Sequence, residues 1–327
     1  MQHAILTLIR HAETTGNLNR LLQGVTDSPV TVFGQAQIEA LARTWATTLP
    51  TAREEGSKAD GVVSSLDLPP PTLIVCSPIG RARKTAEAVH RACSCEPHPD
   101  ASILEAALSE GSPTRTHIAD EQHKQPGLRL VVDAGLAEKD FGWKESTRGG
   151  MHVAGYPKGQ GAGESRAAFL SRVHRVGADW LSAASALASS SEDTIPHIVL
   201  VSHGMWISTF LSAHPPTTIT QVSAQPGFLP FAANTGMFSL KVLPSPDKDE
   251  TRAGNKSITT ELFRANDVRH LAHVKRQKGG IGRGAFDNRQ TKLSSFFAQT
   301  PKSPSKNRKD DDKATIEEAS PSKKRKV

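Results

Sequence analysis

The stretch AILTLIRHAETTGN (residues 4–17) decides the fold. Ala4 to Ile9 is a short run rich in apolar and β-branched residues, with no polar alternation, and it stops at Arg10-His11. A strand covered on both faces reads this way, whereas a half-exposed strand alternates. TLIVCS (72–77) and HIVLVS (197–202) have the same character. Helical patterns lie between these runs. After Thr31, a good N-cap type, Ile38, Leu41, Ala42, Trp45 and Leu49 recur at three- and four-residue steps. Phe169, Val173, Val176 and Trp180 repeat the pattern later in the chain. Strand alternating with helix predicts an α/β fold, a three-layer α/β/α sandwich around a mostly parallel sheet. MFSLKV (237–242) and SITTELF (257–263) read as further strands.

At 327 residues the chain holds one large domain or two modest ones, and 37% hydrophobic content supports a core. Charge is unevenly spread. Residues 269–327 carry 16 Lys+Arg against 6 Asp+Glu, a net of +10. The whole chain is +7, which leaves −3 for residues 1–268. A basic tail on a nearly neutral body reads as a tether or an address, and argues against a nucleic-acid-binding fold. The odd count of three cysteines, Cys76, Cys93 and Cys95, fits a reducing compartment. Cys93-Ser94-Cys95 lacks the gap and the second ligand pair of a zinc site. No apolar run approaches membrane-spanning length, and Ala4–Ile9 is too brief for a signal-peptide core. These features predict a soluble intracellular protein.

Residues 54–71 and about 96–127 are rich in Gly, Ser, Pro and charge and read as surface insertions within a catalytic domain spanning 1–268. Residues 244–257 join the last two strands. From 269 onward the composition is that of a basic, largely disordered tail.

In an open α/β sheet, ligands bind beyond the carboxyl ends of the strands. Here the three strong runs end in Arg10-His11-Ala12-Glu13, in Ser77-Pro78 followed by Arg81 and Arg83, and in Ser202-His203-Gly204. Arginines and histidines meeting at one sheet edge would make a cationic pocket suited to phosphate.

The longer stretch LIRHAETTGNLNRLLQGVTDSPVTVFGQAQ (8–37) resembles the signature of the histidine phosphatase superfamily, the phosphoglycerate-mutase-like proteins. It supplies Arg10, His11, Glu13, Asn17, Gln23, Gly24, Asp27, Pro29, Thr31, Gly34 and Gln37 in the family's order. SPIGRARKTAEAV (77–89), GLAEKDFGWKES (135–146), Gly163-Glu164-Ser165, Val201-Ser202-His203-Gly204 and Asn234-Thr235 are similar to the later blocks. The resemblance implies His11 as nucleophile, forming a phosphohistidine, and Glu138 as proton donor. It implies Arg10, Asn17, Arg81, His203 and Gly204 around the phosphate, with neither metal nor cofactor. Gly16, Val30, Lys84 and Ser146 depart from the usual residues and bear on substrate fit. Mutases of this superfamily carry a long charged insertion after the acid-bearing block. Residues 147–163 (TRGGMHVAGYPKGQGAG) are short and glycine-rich, as in the phosphatase branch. Hydrolysis is therefore the expected activity. A phosphoglycerate-type mutase and a non-catalytic adaptor are the alternatives.

The tail contains RQTKLSSFFAQ (289–299), in which Gln290, Leu293, Phe296 and Phe297 match the spacing of the PCNA-interacting peptide. That resemblance implies one helical turn, ordered on binding, that places Leu293 and both Phe rings in an apolar pocket of the sliding clamp PCNA. The final PSKKRKV (321–327), with Lys323, Lys324, Arg325 and Lys326, resembles a nuclear import signal and implies an import receptor and a nuclear location.

Overall fold

The computed structural model describes residues 2–46, 66–94, 115–117 (backbone only), 127–191, 194–220, 231–244, 258–278 and 280–287. Strand β1 (Ala4–Arg10) lies at the centre and is buried for all but its last residue. A short helical turn, α1 (Thr15–Leu18), and helix α2 (Val32–Ala46) follow it. Strand β2 (Leu73–Cys76) leads into α3 (Gly80–Cys93). Beyond them come β3 (Arg115–His117), β4 (Arg129–Asp133) and a small hairpin of β5 (Thr147–Arg148) and β6 (Met151–His152). The long helix α4 (Arg166–Ser190) precedes β7 (His197–Ser202) and α5 (Gly204–Ala213). The short β8 (Thr218–Ile219) and the antiparallel pair β9 (Met237–Val242) and β10 (Thr260–Asp267) complete the sheet.

Eight strands hydrogen-bond in the order β3-β4-β2-β7-β1-β9-β10-β8. The central four, β4, β2, β7 and β1, are parallel. The edges bring antiparallel pairing. The uninterrupted runs are explained by cover on both faces. On one face Leu6, Leu8, Val75 and Leu200 pack against Trp180 of α4 and Trp206 and Phe210 of α5. On the other, Ile5, Ile9, Ile74 and Val201 pack against Leu41 and Trp45 of α2 and Val89 of α3. Full burial of each such side chain contributes about 1.5–3 kcal/mol before the cost of ordering the chain. Thr31 acts as expected at the head of α2: its Oγ1 accepts from Gly34 N at 2.9 Å.

Two expectations shift. Strand β10 begins at Thr260, not 257, and runs to Asp267; burial alternates from Thr260 to Arg264, with register breaks between Leu262 and Arg264 and between Arg264 and Asp267. The compact unit also extends past 268 to Phe286. Residues 284–286, assigned above to the tail, bond to the start of α2 and the residues just before it: Val32 N donates to Gly284 O at 3.0 Å and Phe286 N to Val30 O at 2.8 Å. Gln290, Leu293, Phe296, Phe297 and the 321–327 cluster lie outside the described residues, as does most of the two insertions.

Candidate active site

Strand register sets the site. Arg10 pairs with Ser202 across β1 and β7, and Cys76 pairs with Val201 across β2 and β7. The next residues, His11, His203 and Ser77, therefore leave the sheet at one level from adjacent strands, which lie about 4.8 Å apart. The sequence separates them by up to 192 positions; the parallel register brings them together.

His11 is buried, and its Nδ1 lies 2.8 Å from Ala12 O. A carbonyl only accepts, so Nδ1 carries the proton and Nε2 keeps its lone pair. Arg81 Nε donates to that Nε2 at 3.3 Å. Burial, then the neighbouring Arg81 and Arg10 guanidinium groups, hold the imidazole well below its ordinary pKa, against the pull of the Ala12 bond. The His203 ring stands 5.1 Å from His11, centroid to centroid. Its Nε2 bonds Ser77 Oγ at 2.8 Å, while its buried Nδ1 has no protein partner. Burial and then Arg81 hold His203 well below the usual value as well.

Both arginines are braced by carbonyls. Arg81, 1% exposed, donates through Nη1 to Thr26 O (2.8 Å) and through Nη2 to Gly24 O (2.6 Å). Arg10 Nη1 donates to Ala232 O at 2.7 Å, and its buried Nε is unpartnered. Burial lowers the proton affinity of both groups while Glu138 raises it, and a guanidinium stays charged in either case. Gly204 opens α5 against Arg10: a Cβ there would stand 3.3 Å from Arg10 Nε. Arg83, by contrast, is a surface residue paired with Glu87.

Glu138 is 5% exposed and accepts from Lys139 N (3.1 Å) and from Met205 N (3.0 Å) in the first turn of α5. Burial raises its pKa; the two backbone N–H groups, then Arg81 and Arg10, oppose the rise. Its loop is pinned from four sides. Trp206 Nε1 donates to Gly135 O, Ser202 Oγ to Leu136 O, and Asp133 Oδ1 accepts from Gly135 N. Arg172 donates to the carbonyls of Gly135, Ala137 and Glu138 while Glu164 grips it with both carboxylate oxygens.

Asn17 is linked to the His11 backbone through Asn234, with part of its side chain already engaged. Its Oδ1 accepts from Thr14 N at 3.1 Å, forming a capping box, and Asn234 Nδ2 lies 3.4 Å away. Only its Nδ2 is left to donate to a ligand. Composition and motif reading missed Glu145, which is fully buried. Its carboxylate accepts from Phe141 N, Gly24 N, Val25 N and Thr26 N and from Thr26 Oγ1, holding the loop whose carbonyls brace Arg81. Gly24 is required there, since a Cβ would come within 2.1 Å of Lys139 O. Asp27 also went unassigned; its Oδ1 caps α3 through Arg81 N and lies 3.5 Å from Arg81 Nη1. Among the described residues no group of three or more His, Cys, Asp or Glu is arranged to hold a metal. None of their helices is long and apolar enough to cross a membrane.

Residues 6–53 and 53–224 match the profile of the histidine phosphatase superfamily (branch 1). Curated relatives described as probable phosphoglycerate mutase GpmB include one from Klebsiella pneumoniae, 29% identical over 205 residues, covering 63% of this chain and 72% of that protein. Another, from Cronobacter sakazakii, is 30% identical with the same coverage. The fold is similar to a solved structure described as mycobacterial hydrolase 1, at 20% identity and a TM-score of 0.51, covering 81% of this chain and 99% of that one.

Proposed function

Since the chain belongs to the histidine phosphatase superfamily, we propose that it is a phosphomonoester hydrolase working through a phosphohistidine at His11. One observation carries the reading. The Nε2 lone pair of a neutral imidazole lies among cationic donors, and two buried polar atoms there, Arg10 Nε and His203 Nδ1, have no protein partner. Each such atom left unpaired costs about 1–3 kcal/mol, which a bound phosphoryl oxygen would recover.

The chemistry follows from the tautomer. Nε2 of His11 attacks phosphorus and the ester P–O bond breaks. Nδ1–H, held on Ala12 O, supports the positive charge on the phosphorylated ring. Arg81 Nε turns from Nε2 to a phosphoryl oxygen, and Arg10 and Arg81 neutralise charge as it develops. Glu138, favoured in its protonated form by burial, gives its proton to the leaving oxygen. The same carboxylate then takes a proton from the water that hydrolyses the P–N bond, and His11 is restored. Fixed guanidinium charge does the work for which other phosphatases use metal ions.

The short 147–163 segment, folded into the β5–β6 hairpin and a glycine-rich loop, favours hydrolysis over transfer between sugar-acid phosphates. The mutase reading draws on the names of the bacterial relatives. A panel of phosphorylated metabolites and phosphopeptides, with His11→Ala as blank, tests both. Phosphate release is the proposed result, and phosphoryl transfer in excess of release would favour the mutase. For the tail we propose docking on PCNA through Gln290, Leu293, Phe296 and Phe297, and import through Lys323–Lys326. A peptide covering 286–300 should bind the clamp in fluorescence anisotropy and lose binding when both Phe become Ala. Residues 321–327 fused to a reporter should carry it into the nucleus; a cytoplasmic reporter would remove that proposal.

A further inference from the structure

The segment 269–286, basic and glycine-rich in sequence, touches the nucleophile's surroundings at two points. Arg276 forms a fork on Glu13, with Nη1 to Oε1 at 3.0 Å and Nη2 to Oε2 at 2.6 Å. The guanidinium lies over the Phe33 ring, 4.2 Å from its centroid, and Nη1 also donates to Gly282 O. Glu13 is held in addition by Thr31 Oγ1 on Oε1, by Thr31 N on its carbonyl and by Gln37 Oε1 on its N–H. Its neighbour Ala12 presents the carbonyl that fixes the His11 tautomer.

The second point is His270. Thr235 Oγ1 donates to Asn234 O at 2.7 Å, so it accepts from His270 Nε2–H at 2.9 Å. Thr235 N bonds Arg10 O, and Asn234 Nδ2 bonds His11 O at 2.9 Å. One strap thus bears on the Arg10–Glu13 segment at both ends, directly on the Glu13 carboxylate and through Thr235 on Arg10 O, and the longer lever is a bidentate ion pair between residues 263 positions apart.

We infer that Arg276 is a positioning residue for His11: through Glu13 it holds the Ala12 carbonyl where it locks the imidazole with Nε2 free. The inference rests on the proposed function for its kinetic consequence and on geometry alone for its structural one. Arg276→Ala should lower kcat about tenfold to a hundredfold, with KM changed less than about threefold, because a small misplacement of the attacking atom is felt mainly in the chemical step. Millimolar methylguanidinium should restore much of that loss in Arg276→Ala and nothing in His11→Ala. Arg276→Lys should fall between, since it keeps the charge and loses the fork. Arg283→Ala, altered at an exposed neighbour in the same strap, should match the unaltered protein. Proton NMR of the resting protein supplies the readout that needs no activity. The His11 Nδ1–H resonance should exchange faster with solvent in Arg276→Ala. Unchanged kcat in an active protein, or unchanged exchange of that proton, overturns the inference. An unaltered protein no faster than His11→Ala overturns the proposed function instead, and the exchange measurement then decides the role of Arg276 by itself.

Discussion

Two buried histidines bracket the same strand. His197 begins β7 and His203 follows its end, and neither exposes any surface. His197 has both ring nitrogens matched: Nδ1 to Pro69 O and Nε2 to Thr7 Oγ1, each at 2.8 Å. Behind Thr7, Ser239 Oγ continues the chain at 3.0 Å. His203 has only Ser77, keeps an unpartnered Nδ1, and shares its surroundings with Arg10, Arg81 and His11. Burial alone does not tell structure from chemistry at these positions. Hydrogen bonds left unmade among like charges do, because folding has no use for that cost.

The comparison breaks most sharply under mutation. His203→Asn should lower kcat/KM by about 10²–10³ with the fold intact, the scale of losing one preorganised donor. His197→Asn should leave turnover per folded molecule nearly unchanged and lower the melting temperature, as calorimetry would show. Equal loss of activity in both would erase the distinction. Glu138→Ala should cost about 10²–10⁴ on alkyl phosphates and much less on p-nitrophenyl phosphate, whose leaving group needs no proton. Loss independent of the leaving group would remove Glu138 from its role as acid.

The pH behaviour of the two ends should also differ. At the site, His11 must be neutral, so activity is lost as pH falls through its lowered pKa. Glu138 must be protonated, so activity is lost as pH rises through its raised one. The profile of kcat/KM should be a bell on the acid side, and Glu138→Gln should abolish its alkaline limb. At the other end of β7, burial lowers His197 to about 4, against about 6.5 in an unfolded chain. The unfolded state therefore binds the extra proton first, and stability falls as pH drops from 6.5 toward 4, by about 3 kcal/mol from this residue. His197→Gln should flatten that slope in urea titrations; an unchanged slope would assign it elsewhere. The smallest effect concerns Ser146, which adopts φ +57°, in the left-handed region that favours glycine. Ser146→Gly should stabilise the protein by about 1 kcal/mol, measurable as a higher urea midpoint.

Much of this was legible in the chain because it depends on local pattern. Uninterrupted runs at 4–9, 72–77 and 197–202 mark strands covered on both sides, and the residues that end them converge because parallel register requires it. Strand β4, RLVVD, escaped notice because its run is short, partly exposed at the start and preceded by a polar insertion. Glu145, Arg172 and Arg276 escaped for a different reason. Each is an ordinary surface-type residue in its own neighbourhood, and finds partners as far as 121, 37 and 263 positions away, respectively. The strap shows this most clearly, since the composition that assigned 269–286 to a loose tail includes the arginine that anchors it on Glu13.

The most direct test is to trap the intermediate. Protein mixed with p-nitrophenyl phosphate, quenched at alkaline pH within milliseconds and analysed by mass spectrometry should carry one acid-labile phosphoryl group on His11. It should be absent from His11→Ala, which should turn over at least about 10⁴-fold more slowly. Phosphate on another side chain, or undiminished turnover without His11, would contradict the account.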